Sequence, residues 1–305
     1  MVEAQNCPAE PDQKTSYSFS EQIDPETGVP VGLAPIELVY REHPEFFSLA
    51  PGSKYHDVGV GRAGSTNFFL DKLPPGVCKT LALVTSEPHP EEGFTRICEE
   101  LDGRVASYKF FKESANKVVV SEKDCALITL INMIHLVPEA ERIELIRDAY
   151  DSLEPGIGRL IISTTFIDEW IPNKDVLLFN NGLTRAVFSG AKRSGVDTRS
   201  LVERLKSEGL VMWSVKEYLE RIGEAGFEIE FPASSSELMT MPCTAESYHL
   251  IAEDRSWLDH TFPGIDYVLA KDITRKALAS MLQGRDLDYS YPLPRNTLVV
   301  VARKL

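Results

Sequence analysis

A carboxylate followed by three glycines, Asp57-Val58-Gly59-Val60-Gly61-Arg62-Ala63-Gly64, forms the first stretch of this chain whose residue types and spacing could do chemistry. Glycines so spaced let a strand end turn tightly into a helix and let the backbone approach a ligand. The helix expected from Ser65-Thr66-Asn67 opens with N–H groups that have no partner inside the helix. Glu87 follows roughly twenty residues later, at the end of an apolar run, where a carboxylate can accept both ribose hydroxyls of a nucleotide. A turn and an acid at this distance suit a nicotinamide dinucleotide and S-adenosylmethionine equally well.

These residues need a sheet to hold them, and the apolar runs predict one. Strands are expected near Tyr55–Val58, Thr80–Val84, Val105–Phe111, Ala126–Ile131, Arg159–Ser163, Phe227–Phe231 and Thr297–Val301. Ala126–Ile131 is apolar on both faces, as a central parallel strand should be. Helices are expected from Ile36 toward Phe46-Phe47, over Phe94–Leu101, and from Pro138 with Ile143, Ile146, Tyr150 and Leu153 at helical spacing. Ser214 with Glu217 reads as a capping box for a helix over 215–225. Strands alternating with helices predict a doubly wound α/β sheet. Residues 232–295 carry helical patterns of their own, around Ser247–Leu258 and from Asp272 to Gln283 capped by Gly284. They are too long for a turn and read as a helical lid inserted before the last strand. The expected organisation is an N-terminal segment and helix (1–50) contributing to the active site, a core (51–231), the lid (232–295) and a terminal strand (296–305).

Composition narrows the partners. The chain has 305 residues, 43% hydrophobic, with 46 acidic against 32 basic side chains and a net charge of -14. That balance argues against a nucleic-acid binder, whose affinity rests on neutralising phosphates. The five cysteines (Cys7, Cys78, Cys98, Cys125, Cys243) form no C-x-x-C pair and the histidines show no ligand spacing, so no metal site is expected. The polar N-terminus and the lack of a long apolar run predict no membrane association and a cytoplasmic location, and a monomer is expected.

Three features separate the two cofactors by resemblance. Asp57 stands where class I S-adenosylmethionine-dependent methyltransferases carry an acid serving the methionine end of the cofactor. Ser152-Leu153-Glu154-Pro155-Gly156 resembles the Leu-x-Pro-Gly before their fifth strand, and Ala225-Gly226-Phe227 resembles the close of their last helix. The resemblance spans 54–231 and 296–304 and implies a seven-stranded Rossmann-like methyltransferase sheet binding S-adenosyl-L-methionine through Asp57, Gly59, Gly61, Gly64 and Glu87.

A narrower resemblance is to the histamine N-methyltransferase group. It is carried by Glu87-Pro88 before an acidic helix, Lys112-Glu113-Ser114, Ile131-Asn132-Met133-Ile134, Arg295-Asn296-Thr297-Leu298 and Arg41-Glu42-His43. This implies cofactor contacts from Ser114, near the adenine, and Ile131. It also implies substrate contacts from Glu42 to an ammonium tail, from Asn132 where the group has glutamine, and from Asn296 to the nitrogen being methylated or its ring partner. The expected activity is methylation of a nitrogen on a small amine or imidazole, with O-methylation of a small secondary metabolite or NAD(P)-dependent oxidoreduction as alternatives. His135 reads as a structural residue more readily than as a base. Tyr17, Phe47, Trp170, Phe179, Trp213 and Tyr248 are candidates for an aromatic pocket or for plain core.

Overall fold

The computed structural model describes residues 22–88, 94–208, 211–252, 258–259 and 261–305. Tyr17, the acidic residues Glu91-Glu92 and the 253–257 part of the helical pattern expected around Ser247–Leu258 lie outside the described residues.

The chain enters through α1 (Ala34–Glu42), then β1 (Lys54–Val58), α2 (Gly64–Lys72) and the short α3 (Pro75–Cys78). Next come β2 (Ala82–Ser86), α4 (Phe94–Asp102), β3 (Ser107–Phe111), α5 (Ala115–Ser121) and β4 (Leu127–Ile131). β2 starts later than its apolar run because Thr80 belongs to a turn: its hydroxyl donates to the Val77 carbonyl and accepts the Gly52 N–H. All five residues of β4 are buried. α6 (Glu139–Ser152) stops before Pro155, and β5 (Arg159–Thr164) follows. α7 (Lys174–Arg193) and α8 (Thr198–Glu208) come before α9 (Val215–Glu224), whose capping box between Ser214 and Glu217 is formed as predicted. β6 (Phe227–Phe231), β7 (Met239–Met241), α10 (Ala245–Ile251), α11 (Tyr267–Gln283) and β8 (Arg295–Lys304) complete the described elements.

The sheet runs in the order β3-β2-β1-β4-β5-β8-β6. β1 to β5 pair in parallel, and β8 is antiparallel to both its neighbours. The direction of winding reverses between β1 and β4, where open α/β sheets leave a crevice at their carboxyl edge. Apolar side chains fill both faces: Ile128, Leu160 and Val300 pack with α6 and α9, while Tyr55, Leu83 and Val301 pack with α1 and α2.

β8 is longer than predicted. Leu298 pairs with Thr164, the last residue of β5, so Arg295–Thr297 run on past the carboxyl edge, where they pair with β7. The insertion before β8 also shares its core with residues outside 232–295. α7 carries Phe179, Leu183 and Val187 into a third apolar cluster with Tyr248 and with Ala270, Ile273 and Ala277 of α11. Elements from two connections, β5 to α9 and β6 to β8, therefore share one core. The signal for α7 was present in the sequence as Asn173, whose side chain accepts the Val176 N–H, ahead of apolar residues at a spacing of four. Among the described residues no helix is long and apolar enough to cross a membrane.

Candidate active site

The turn after β1 is built around a buried anion. Asp57 is fully buried, and its Oδ2 accepts from the hydroxyls of Thr66 (2.5 Å) and Ser65 (2.9 Å) in the first turn of α2. Its Oδ1 accepts from Thr129 on β4 (2.6 Å), whose hydroxyl also meets the Tyr55 phenol at 3.1 Å. Burial pushes the Asp57 carboxyl upward, against the pull of these hydroxyls. A carboxylate at a helix N-terminus is favoured by the unpaired N–H groups there, so Asp57 fixes how α2 leaves the sheet. Both its oxygens are taken by these hydroxyls, which makes it a positioning residue for the turn.

Gly59 and Gly61 differ in why they are glycine. Gly59 has φ +70°, and a Cβ there would lie 2.9 Å from Met133 Cβ. Its N–H, with that of Val60, bonds the Ser86 carbonyl and ties the turn to β2. Gly61 has φ +49°, with nothing within 4 Å of where its Cβ would be, so this stretch of backbone faces open space. The left-handed residue before α2 is Ala63 (φ 60°), and Gly64 is already helical. The motif thus has its third special backbone position one residue before the third glycine, which spacing alone does not reveal.

Glu87 reaches this turn. Its Oε2 accepts the Gly61 N–H at 3.1 Å, while its own N–H is held by the Phe111 carbonyl. The two expected halves of a nucleotide site are therefore joined directly. Ile131 closes β4 on the same edge, and Ser114 is exposed as the N-cap residue of α5, after β3.

Asn132 follows β4 in a left-handed conformation (φ 51°), with its N–H on the Ser163 carbonyl at 2.7 Å. Its Oδ1 is buried and has no hydrogen-bond partner. The hydroxyls of Ser86, Ser163 and Thr297 are in the same condition, and all these residues lie at or beyond the carboxyl edge. Buried polar atoms are normally satisfied, so a group of them on one edge marks where a ligand would supply hydrogen bonds. His135 is buried against Phe166, the rings stacked 3.7 Å apart. Its carbonyl, with those of Val137 and Val211, is held by the buried guanidinium of Arg142, which fixes the loop after β4.

Asn296 sits beyond the edge, on β8. Its amide nitrogen donates to the Glu169 carbonyl at 2.7 Å and its N–H bonds the Trp170 carbonyl, so it anchors the segment after β5. Glu42 is not brought to this group. It is exposed at the end of α1, and the next turn is held at the other edge of the sheet, where the Glu45 carbonyl accepts from Arg159 at the start of β5. Of the aromatic candidates Trp170 stands nearest the edge residues, beside Arg295. Phe47 packs on Tyr40 and Phe69, Phe179 on Tyr248, and Trp213 on Tyr218. Among the described residues no group of three histidine, cysteine, aspartate or glutamate side chains is placed to hold a metal ion.

No protein-family model matches the sequence, and no curated protein matches it. Solved structures do. The fold is that of the Rossmann-like methyltransferases. A candidate methyltransferase from Bacillus halodurans aligns with a TM-score of 0.50 at 15% identity, over 87% of this chain and 97% of that one. The YcgJ protein from Bacillus subtilis gives 0.50 at 13% identity, over 88% and 97%. A candidate sarcosine dimethylglycine methyltransferase from Galdieria sulphuraria gives 0.51 at 14% identity, over 95% and 94%. Identities this low speak for the fold alone.

Proposed function

We propose that this chain is an S-adenosylmethionine-dependent N-methyltransferase acting on a small amine or imidazole. The reading is supported by the Gly61–Glu87 hydrogen bond in the turn after β1, with open space at Gly61, and by the buried, unpartnered amide oxygen of Asn132 at the end of β4. The antiparallel β8 supports this cofactor over a nicotinamide dinucleotide, whose usual strand order ends in a parallel strand.

The residues fit the cofactor. The 59–64 turn would take its methionine and ribose, Glu87 the ribose hydroxyls, and Ile131 with Ser114 the adenine. When bound, it supplies a methyl group already activated on a sulfonium sulfur. The chain's own task is then to hold an unprotonated nitrogen in line with that methyl. Orientation of this kind supplies up to about 7–11 kcal/mol in favourable intramolecular reactions. Asn132 Oδ1 would accept an N–H of the methyl acceptor and point its lone pair, and Asn296 would act through the segment it anchors. An imidazole is largely neutral at pH 7, so no strong base is required. Glu42 has no part in this proposal, because its helix ends away from the cleft.

Thermal-shift measurements with S-adenosylhomocysteine and with NAD test the cofactor: stabilisation by the first is expected, and stabilisation by NAD alone would overturn the reading. Incubation with methyl-labelled cofactor and a panel of amines, imidazoles, phenols and carboxylic acids tests the acceptor. Label appearing only in a phenol or an acid would replace N-methylation by O-methylation.

A further inference from the structure

Two arginines are buried among the described residues, Arg142 and Arg295. Arg142 spends its guanidinium on three backbone carbonyls. Arg295 has no such provision. The residue is 7% exposed, its Nε is buried without a hydrogen-bond partner, and among the described residues no carboxylate pairs with it. Two rings hold the group in place: its central carbon is 4.5 Å from the Trp170 ring centroid and 5.6 Å from that of Phe166, which itself stacks on His135. Its strand position puts it three residues beyond Leu298 and Thr164, on the edge that bears Asn132 and Ser163.

Ring contacts of this kind do not offset the burial of a whole charge without further hydrogen bonds. The neighbouring acidic protons cannot supply an anion either. The Cys243 thiol and the Tyr248 phenol both feel the charge of Arg295, yet burial pushes the thiol up to about 12 and the phenol above its ordinary value. A guanidinium flanked by aromatic faces, with its donors unspent, is a receptor for a planar oxyanion, which it can bind through two parallel hydrogen bonds.

Resting on the methyltransferase reading, we propose that Arg295 binds a carboxylate carried by the methyl acceptor, so that the substrate joins a nucleophilic nitrogen to an acidic group. The tail is then opposite in charge to the ammonium tail for which Glu42 was expected. With an overall charge of -14, a buried and unpaired cation beyond the carboxyl edge is a selective feature, since the net charge disfavours anions elsewhere.

The test is calorimetry on protein loaded with S-adenosylhomocysteine, using imidazole-4-acetate, histamine and benzoate as probes. The two imidazoles share a ring and differ in the sign of the tail. Wild type should bind imidazole-4-acetate at least roughly tenfold more tightly than histamine, and benzoate detectably. Arg295→Met should abolish that preference, leave the affinity for S-adenosylhomocysteine within about twofold, and keep or raise the unfolding midpoint of the unliganded protein, because an uncompensated charge is removed. Preference for histamine, or no binding of either carboxylate by wild type, overturns the proposal without any variant. A roughly tenfold loss of S-adenosylhomocysteine affinity in Arg295→Met would assign the guanidinium to the cofactor's own carboxylate and also overturn it. Failure of wild type to bind S-adenosylhomocysteine at all is the separate failure of the methyltransferase reading.

Discussion

The Gly61 N–H donates to Glu87 Oε2 at 3.1 Å, so the end of β2 and the turn after β1 form one unit. Turn and acid constrain each other here: the carboxylate orients a backbone that is otherwise open, and the backbone N–H fixes where the carboxylate stands.

Replacing that carboxylate should weaken the cofactor far more than the fold. Glu87→Ala is expected to lower the affinity for S-adenosylhomocysteine by roughly 10- to 100-fold, as loss of hydrogen bonds from a charged acceptor would. The unfolding midpoint without ligand should change little, because Glu87 is only half-buried. Calorimetry and thermal unfolding of the same samples check both halves. Unchanged affinity would remove Glu87 from the site.

The two glycines of the turn should fail in different ways. Gly59→Ala adds a Cβ to a left-handed residue and drives it against Met133, which is expected to destabilise the protein by at least about 1–2 kcal/mol in denaturant unfolding. Gly61→Ala carries the backbone cost without the clash, so its unfolding midpoint should fall less. Its added methyl stands in the open cradle, and S-adenosylhomocysteine binding should fall by roughly tenfold or more. Equal stability losses in the two variants would contradict this division.

Asn132 should separate acceptor from cofactor. Asn132→Gly keeps the left-handed backbone and removes the unsatisfied amide oxygen. The expected outcome is methyl transfer reduced by roughly tenfold or more with S-adenosylhomocysteine affinity unchanged. Asn132→Ala should add a stability loss of about 1 kcal/mol from its strained φ. Single-turnover rates and binding isotherms distinguish these effects.

His56 predicts an acid limb in stability. It is buried on β1 with neither ring nitrogen hydrogen-bonded, and burial pushes its pKa from 6.5 down to about 4. Between these values the unfolded chain binds a proton that the folded chain refuses, so stability falls as pH falls, by about 3 kcal/mol over the whole window. Asp57 works in the opposite sense, because a carboxyl pushed upward by burial takes its proton more readily when folded. His56→Leu gives up no hydrogen bond and should flatten the fall in denaturation midpoint between pH 6.5 and 4. A variant with the same slope as wild type would place the acid sensitivity elsewhere.

What the sequence determined by itself was local. Alternating and continuous apolar runs placed the strands, and the strand Phe227–Phe231 and the Ser214 cap needed only neighbours to be legible. The glycine turn and Glu87 were readable because their chemistry is tied to a fixed distance along the chain. Tertiary structure decided the rest. Asp57 proved to be a tether for α2 because its two oxygens meet hydroxyls from α2 and β4, a meeting that depends on strand order. Glu42 stands exposed at the end of α1, with the Glu45 carbonyl of the next turn beside Arg159 at the start of β5, a placement that no spacing encodes. Arg295 acquired its setting only because β8 carries it beyond the carboxyl edge, beside two rings and largely out of water. Burial is a property of the whole packing, and it is burial that turns an ordinary charge into a demand for a partner.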